Sequence, residues 1–479
     1  MTPAGEPHEC AFKEEALQLR QRLAEVEARL RELEASRKAA DAKKRKEATP
    51  GGKSERQPPK SPKPETKKPQ TGHGPTEQPA LPVVEEPVQK LDAADCTCPK
   101  CGDRLDEWEG QFEESEEIDV VVKGYVRKKK RAQKYRCCTC KHIESPLAPP
   151  RVLPGGRYSN AFALQVLVEK YLDHMPLDRQ TRSMARQGLV VKSQVLWDQQ
   201  WAMTRLLAPA GERLKAYALA SGVLGVDETR WPFLGENPRN WTMWCATANG
   251  VVYFEILDGR GSAQGEMLLR GFKGILMVDG YAVYEWLAKN YPGITLAFCW
   301  AHVRRHAKDV ETAFPVEVEK FVALIGRLFE IEKRATSREH RLQLRQAESK
   351  AVVEDIRSFI TNTPALPNSG LRRAFDYVAK RWTGLTRFLD NPDIPLTNNQ
   401  AERGQRGPVL GRNNHQGSHS DRGVESAALF YSLFESAKLC GINPEAYLRH
   451  AMAEALARRQ IPLPHEVADR ADLRLPNSA

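Results

Sequence analysis

Two stretches decide the fold: GVLGVDETRWPF, residues 222–233, and GILMVDGYAVYE, residues 274–285. Each opens on glycine, runs through apolar and β-branched residues, and reaches an aspartate at the same place, Asp227 in the first and Asp279 in the second. Three further apolar, β-rich runs belong with them: WTMWCATA (241–248), VVYFEIL (251–257) and ITLAFCWAH (294–302). Helical patterns follow the third, fourth and fifth runs. Three strands, a helix, a strand, a helix and a strand predict a mixed α/β sheet flanked by helices. An aspartate closing a buried strand costs desolvation free energy, and two such carboxylates side by side repel each other. A divalent cation between them would remove both penalties.

A third carboxylate stands out further along. TNNQAERGQRGPVLGRNNH, residues 397–415, holds Arg403, Arg406 and Arg412 and a single acid, Glu402. The plain reading pairs Glu402 with Arg406 four residues on, an arrangement worth about 0.2–0.5 kcal/mol on a helix surface. Among other acids, Glu228 follows Asp227 directly and by strand alternation faces the opposite side of the sheet. Asp258 and Asp309 lie beyond element ends and are read as surface residues. Cys299, His302 and His306 share one helical face after the fifth strand. Three ligands on one helix cannot close a tetrahedron, so His302 is read as standing behind the site or facing DNA.

The chain has 479 residues, 72 Lys and Arg against 62 Asp and Glu, a formal charge of +10 and a pI near 9.0. Its length implies two or three folded units, and its charge makes nucleic acid the first partner to consider. No apolar run approaches the roughly 18 residues of a membrane span, and residues 1–10 lack a signal-peptide pattern, so a cytoplasmic, nucleoid-associated protein is expected. Phe12, Ala16, Leu19, Leu23, Val26, Leu30 and Leu33 form a heptad seam, predicting a coiled-coil helix over 8–40 and a homo-oligomer. Residues 41–94 read as a disordered, basic, Pro-rich linker; from Asp41 to Ala80 there is no Val, Ile, Leu, Met or aromatic residue.

Six of the ten cysteines fall between Cys96 and Cys140. Cys98 with Cys101 and Cys137 with Cys140 make two C-x-x-C pairs, the spacing that presents four thiolates to one structural Zn²⁺, in a zinc-ribbon-like domain over 95–150. Cys96 and Cys138 are spare. Arg127, Lys128, Lys129, Lys130 and Arg131 are consecutive cations that suit a DNA backbone. Residues 158–215 read as three helices with a helix-turn-helix-like outline, the second begun by Pro176 and ended by Gly188, the third capped by Ser193.

The order of strands and acids resembles the ribonuclease H-like fold of DD(E) transposases and integrases. The phrases KYLDHMPLDRQ, GVDETRW, GILMVDGYAVYE, CWAHVRRH, NNQAERGQRGPVLGRNN and SDRGVESAALFYSLFESAKLCGINPEAYL resemble bacterial insertion-sequence transposases of the IS sixty-six family, over about Cys98 to Leu448. The resemblance implies a ribonuclease H-like core divided into 220–312 and 393–450 by a helical insertion at 313–392, and a C-terminal tail at 451–479. It implies two Mg²⁺ ions, with Mn²⁺ as a substitute, held by Asp227, Asp279 and Glu402. It further implies cleavage of DNA at terminal inverted repeats and strand transfer into target DNA. Accessory element-encoded proteins are conceivable partners. The rival reading is a catalytically silent DNA-binding repressor or defective copy, and a third is an unrelated nuclease of the same fold. The cysteine spacing predicts that the segment Asp95 to Pro150 binds one zinc per chain and unfolds with a chelator; metal analysis of the pure protein checks it, and absence of stoichiometric zinc would refute it.

Overall fold

The computed structural model describes residues 124–128, 135–136, 143–144, 149–235 and 240–474. The expected coiled coil (8–40), the linker (41–94), the ligands Cys98, Cys101, Cys137 and Cys140, and Lys129, Lys130 and Arg131 lie outside the described residues. The chain divides into a unit of residues 52–129 and a unit of residues 1–51 with 130–479. In the first, Gly124–Lys128 has no regular secondary structure, and Arg127 and Lys128 are exposed. In the second, Tyr135–Arg136 pairs antiparallel with Ile143–Glu144.

The core is a five-stranded sheet: β1 (Val223–Pro232), β2 (Asn240–Ala248), β3 (Val251–Leu257), β4 (Gly274–Val278) and β5 (Ile294–Phe298), in the order β3-β2-β1-β4-β5. The first three form an antiparallel meander, and β4 and β5 add in parallel to the other side of β1. Asn249 and Gly250, with φ of 49° and 78°, close the β2–β3 hairpin in the left-handed conformations such a tight turn needs. Parallel neighbours require crossovers: α4 (Ser262–Leu269) precedes β4, and α5 (Ala282–Asn290) connects β4 to β5. Central β4 carries Leu276, Met277 and Val278 buried in succession, as expected of a strand covered on both faces.

Three helices precede the sheet, α1 (Asn160–Tyr171), α2 (Leu177–Arg186) and α3 (Ser193–Leu219). Pro176 and Gly188 bound α2 as the sequence indicates, but the N-cap of α3 is Lys192 rather than Ser193, which is already helical. α3 also runs past residue 215 almost to β1. Its inward residues, including Leu207, Leu214 and Ala218, belong to the same hydrophobic core as the sheet, and burial carries the helix beyond the expected boundary.

α14, so numbered in chain order and spanning Asp421–Leu439, lies along β3, the outermost strand. An edge strand exposes unpaired main-chain groups. Here buried hydroxyls take them: Ser432 accepts from Phe254 N at 2.8 Å, while Ser436 accepts from Val252 N and donates to Val252 O, both at 2.9 Å. At the opposite edge, Arg387 Nε donates to Leu296 O of β5 at 3.0 Å. The last helix, α15 (Pro444–Leu456), continues through the expected start of the tail at 451, and Ile461, Leu463, Val467 and Leu473 beyond it are buried. Arg213 of α3 fastens this segment by pairing with Glu466 at 2.6 Å. Among the described residues no helix is long and apolar enough to cross a membrane.

Between β5 and α14 the insertion comprises α7 (Pro315–Lys333), α8 (Arg338–Leu344), a π-turn at Arg345–Ser349, α9 (Lys350–Asn362), α10 (Gly370–Lys380) and α11 (Trp382–Thr386). Phe321, Phe359 and Phe375 pack ring against ring at its centre, with centroids 5.6–6.1 Å apart. Arg345 is wholly buried, paired with Glu332 at 2.6 Å and donating to the carbonyls of Phe388, Asn391 and Ile394. A buried charge is tolerable when paired and hydrogen-bonded in this way. The serine seal on β3 predicts that Ser432→Ala, which strands a buried N–H, destabilises the fold by about 1–3 kcal/mol; urea unfolding at unchanged m-value measures it.

Candidate active site

Strand register brings the two aspartates together. Gly225 of β1 partners Met277 of β4. Two residues further on, Asp227, midway along β1, and Asp279, just past the end of β4, therefore stand at one level on neighbouring parallel strands. Asp227 Oδ1 accepts from Glu228 N and Asp279 Oδ1 from Tyr281 N, both at 2.9 Å.

Glu402 reaches the same place on α12 (Asn399–Gly404), 122 residues after Asp279 in the chain. Asn398, buried at the N-cap of that helix, determines where the helix starts. Its Nδ2 donates to Val226 O at 2.7 Å, and its main-chain N donates to Cys299 Sγ at 3.2 Å. One residue thus binds the strand of Asp227, the turn after β5 and the helix of Glu402. A Cβ at Gly225 would come 2.7 Å from Asn398 Oδ1 and 2.7 Å from Thr247 Oγ1, so this strand position needs glycine. The turn at Cys299 leads into α6 (Trp300–Lys308), where Trp300 N donates to Leu396 O and Trp300 Nε1 to Leu385 O, both at 2.9 Å.

Asp227, Glu228, Asp279 and Glu402 line one cavity of about 350 Å³, together with Arg260, His302, Arg305, Gln405, Arg406 and Val409. Burial raises Asp227 to about 7, helped by the charges of Glu228, Asp279 and Glu402 and opposed by the Glu228 N–H. Strand alternation is observed: Asp227 shares its face with Cys245, whose thiol donates to Ala401 O of α12, while Glu228 faces Tyr284 of α5. Glu228 nevertheless belongs to the cavity, because β1 outruns β4 and the opening wraps around the end of the shorter strand. Its carboxylate is taken by the Tyr284 hydroxyl and by both Arg260 Nε at 3.0 Å and Nη2 at 2.6 Å. Asp258 is half-buried and Asp309 exposed, and neither lines the cavity.

The ionic partner of Glu402 is not Arg406. Arg305 Nη2 lies 3.3 Å from Glu402 Oε1, and His302 Nε2 lies 3.5 Å from the same oxygen. α6 crosses closer to Glu402 than the next turn of its own chain does. His302 is lowered by burial and by Arg305, and its Nδ1 is buried without a hydrogen-bond partner. Cys299 and His306 go elsewhere, the thiol to Asn398 and the imidazole to the Tyr377 ring 4.4 Å away. Of the arginines around Glu402, Arg403 and Arg406 are exposed and Arg406 faces the cavity. Arg412 is half-buried on α13 (Arg406–His415) and donates to Thr229 Oγ1 at 2.8 Å and to Arg230 O, so it fastens α13 to β1.

Among the described residues no three His, Cys, Asp or Glu side chains stand together at metal-holding spacing. The donor set still suits a hard divalent cation, being carboxylate oxygen from two strands and a helix around one cavity. Glu402 would have to exchange Arg305 for the ion. Sequence reasoning missed Arg260, Arg305 and Asn398. Arg305 sits three residues after His302 in CWAHVRRH and was open to the same helical-face argument; Arg260 carries no sequence signal.

The raised Asp227 has a stability consequence. Between its ordinary value of 3.8 and about 7 the folded chain keeps a proton that the unfolded chain releases, so this contribution falls as pH rises through that window, by at most about 4 kcal/mol. Asp227→Asn is expected to raise the Tm of the magnesium-free protein at pH 8 and leave it unchanged at pH 4, as measured by calorimetry.

Comparison with known proteins agrees with this geometry. The family model described as Transposase IS66 family matches residues 155–426, more than half of the chain, including the whole sheet and all three acids. An uncharacterized protein y4jD of Sinorhizobium fredii (strain NBRC 101917 / NGR234) is 31% identical over 359 residues, 70% of each chain. A second uncharacterized protein of that organism, y4hP, is 30% identical over 404 residues, 78% of this chain and 71% of its own. The mixed α/β core fits a DDE transposase core, and the chain belongs to the IS66 family of transposases.

Proposed function

We propose that the protein cuts DNA at the ends of an insertion sequence and joins the freed 3′ ends to target DNA, using a ribonuclease H-like core in which Asp227, Asp279 and Glu402 hold two Mg²⁺ ions. The observation that carries this reading is the convergence of the three acids on one cavity, two from adjacent parallel strands and the third from a helix distant in sequence. Such ions, when bound, activate the attacking oxygen and stabilise the departing one. The chain's own residues supply the rest. Asp227, buried between the other acids, becomes a strong ligand once a cation offsets their repulsion. A cation on Glu402 would take the place of Arg305, and the released guanidinium would be available to a phosphate at the cavity. Arg260, Arg403 and Arg406, with the basic run 127–131, meet the DNA backbone. In the same reading, Cys98, Cys101, Cys137 and Cys140 bind zinc, residues 8–40 pair copies of the chain, and the protein works in the cytoplasm on the nucleoid. Three acids meeting in one cavity favour this over a silent repressor, which needs none of them.

Glu402→Gln, Asp227→Asn and Asp279→Asn are each expected to fold, to bind element ends nearly as wild type does, and to lose Mg²⁺-dependent cleavage and strand transfer. Arg406→Ala is expected to weaken end binding and lower the salt slope of log Kd by about one. Cleavage of end-bearing DNA at saturating protein is the measurement, and near-normal cutting by Glu402→Gln would overturn the assignment.

A further inference from the structure

The helical insertion does more than lengthen the chain between the second and third acids. Its helix α10 meets the turn that follows Asp279. The Tyr377 hydroxyl donates to the main-chain carbonyl of Asp279, and Arg381, the next residue after α10, donates through Nη2 to the carbonyl of Gly280 at 2.9 Å. Two successive carbonyls beside the acid are therefore held by one short stretch of the insertion. The same Nη2 pairs with Glu285 of α5 at 2.8 Å, so Arg381 joins the turn to the helix that continues from it. The Arg381 guanidinium lies over the Tyr377 ring at 4.3 Å and over Phe298 at the end of β5 at 5.5 Å, which fixes both donors against the sheet.

The turn is shaped to be gripped. Gly280 has φ of 99°, a conformation open to glycine and strained for other residues. A Cβ there would overlap Arg381 Nε and come 3.0 Å from Tyr377 Oη. On the other side of the turn, Tyr281 N donates to Asp279 Oδ1, so the direction of the carboxylate follows the path of the backbone. Movement of the two carbonyls would swing Asp279 relative to Asp227.

The geometry points to Tyr377 and Arg381 as positioning residues for Asp279: the insertion grips the Asp279–Gly280 backbone and thereby sets the direction of the carboxylate relative to Asp227. This rests on the reading of Asp279 as a metal ligand. Neither residue lines the acid cavity, so any effect on it is indirect and runs through the Asp279–Gly280 turn. A ligand's supporting hydrogen bonds typically govern metal affinity by about 10- to 100-fold, and that is the scale expected here.

The test uses the full-length chain and Mn²⁺ as probe, with binding followed by the EPR signal of the free ion and folding by thermal unfolding. Wild type is expected to bind Mn²⁺ and Asp279→Asn to lose that binding; if instead Asp279→Asn binds as wild type does, the ligand reading falls and the inference falls with it. Tyr377→Phe keeps the ring and removes one donor, and should weaken Mn²⁺ binding about tenfold. It should raise the Mg²⁺ concentration for half-maximal cleavage by the same factor, with the rate recovering at saturating metal and end binding unchanged in metal-free buffer. Arg381→Gln should behave alike, and Arg381→Lys, which keeps a cationic donor for Gly280, should recover part of the loss. Glu285→Gln, which removes only the outer partner of Arg381, should keep wild-type metal affinity. If folded Tyr377→Phe and Arg381→Gln bind Mn²⁺ with wild-type affinity while melting at lower temperature, the contact only fastens the insertion to the core and the inference is wrong.

Discussion

The parallel pairing of β1 with β4 is the constraint on which the rest depends. It places Asp227 and Asp279 side by side, and like charges at that spacing oppose folding unless something offsets them. The surrounding charges are unevenly distributed. Arg260 neutralises Glu228 on one flank and Arg305 neutralises Glu402 on the other, while among the described residues no cation pairs with Asp227 or Asp279. The inner acids hold only main-chain N–H groups. The unmet need for positive charge is thus concentrated at Asp227 and Asp279, and Asp227, by burial first and by the neighbouring acids second, binds its proton more tightly.

Closing this centre requires a helix to return from far along the chain. The insertion spans that distance and is tied to the core where it ends. Trp300 bonds to carbonyls on either side, Leu385 in the last insertion helix and Leu396 just before the helix of Glu402. Arg345 gathers three carbonyls of the connecting segment from inside the insertion. Asn398 completes the path by bonding to the strand of Asp227 itself. Apart from the main-chain bond of Trp300 N to Leu396 O, these are hydrogen bonds from buried side chains to main-chain groups, and they locate backbone irrespective of the neighbouring side chains' identity. Leaving such buried groups unpaired would be costly.

Much of this was legible in the sequence. The five β-rich runs and their intervening helices read directly from apolar blocks and Gly or Asn punctuation, because strands buried in this core have few polar residues. The two aspartates stood at matching places in matching runs. Local reasoning failed where contacts are non-local. The plain local alternative for Glu402 was Arg406 at spacing four, whereas the arginine beside it comes from α6, 97 residues away. Glu228 was placed on the correct face, but alternation says nothing about where one strand outruns its neighbour. Arg412 looked like a DNA contact by company, and the structure uses it to hold α13 on β1. Asn398 gave no warning, since an asparagine before a helix normally caps it and this one bonds to a strand instead.

The sheet has a consequence for assembly through its rims. β3 is closed by serine hydroxyls of α14, and β5 by Arg387 together with the covering helix α11. A rim closed by side chains offers no main-chain template, so a second chain cannot extend the sheet by adding a strand. Association that uses the five-stranded core is therefore directed to its side-chain surfaces, where the identity of individual side chains sets the geometry. Such surfaces can diverge between relatives while the hydrogen-bonded frame around the acids stays fixed, which separates how copies recognise one another from how the centre is built.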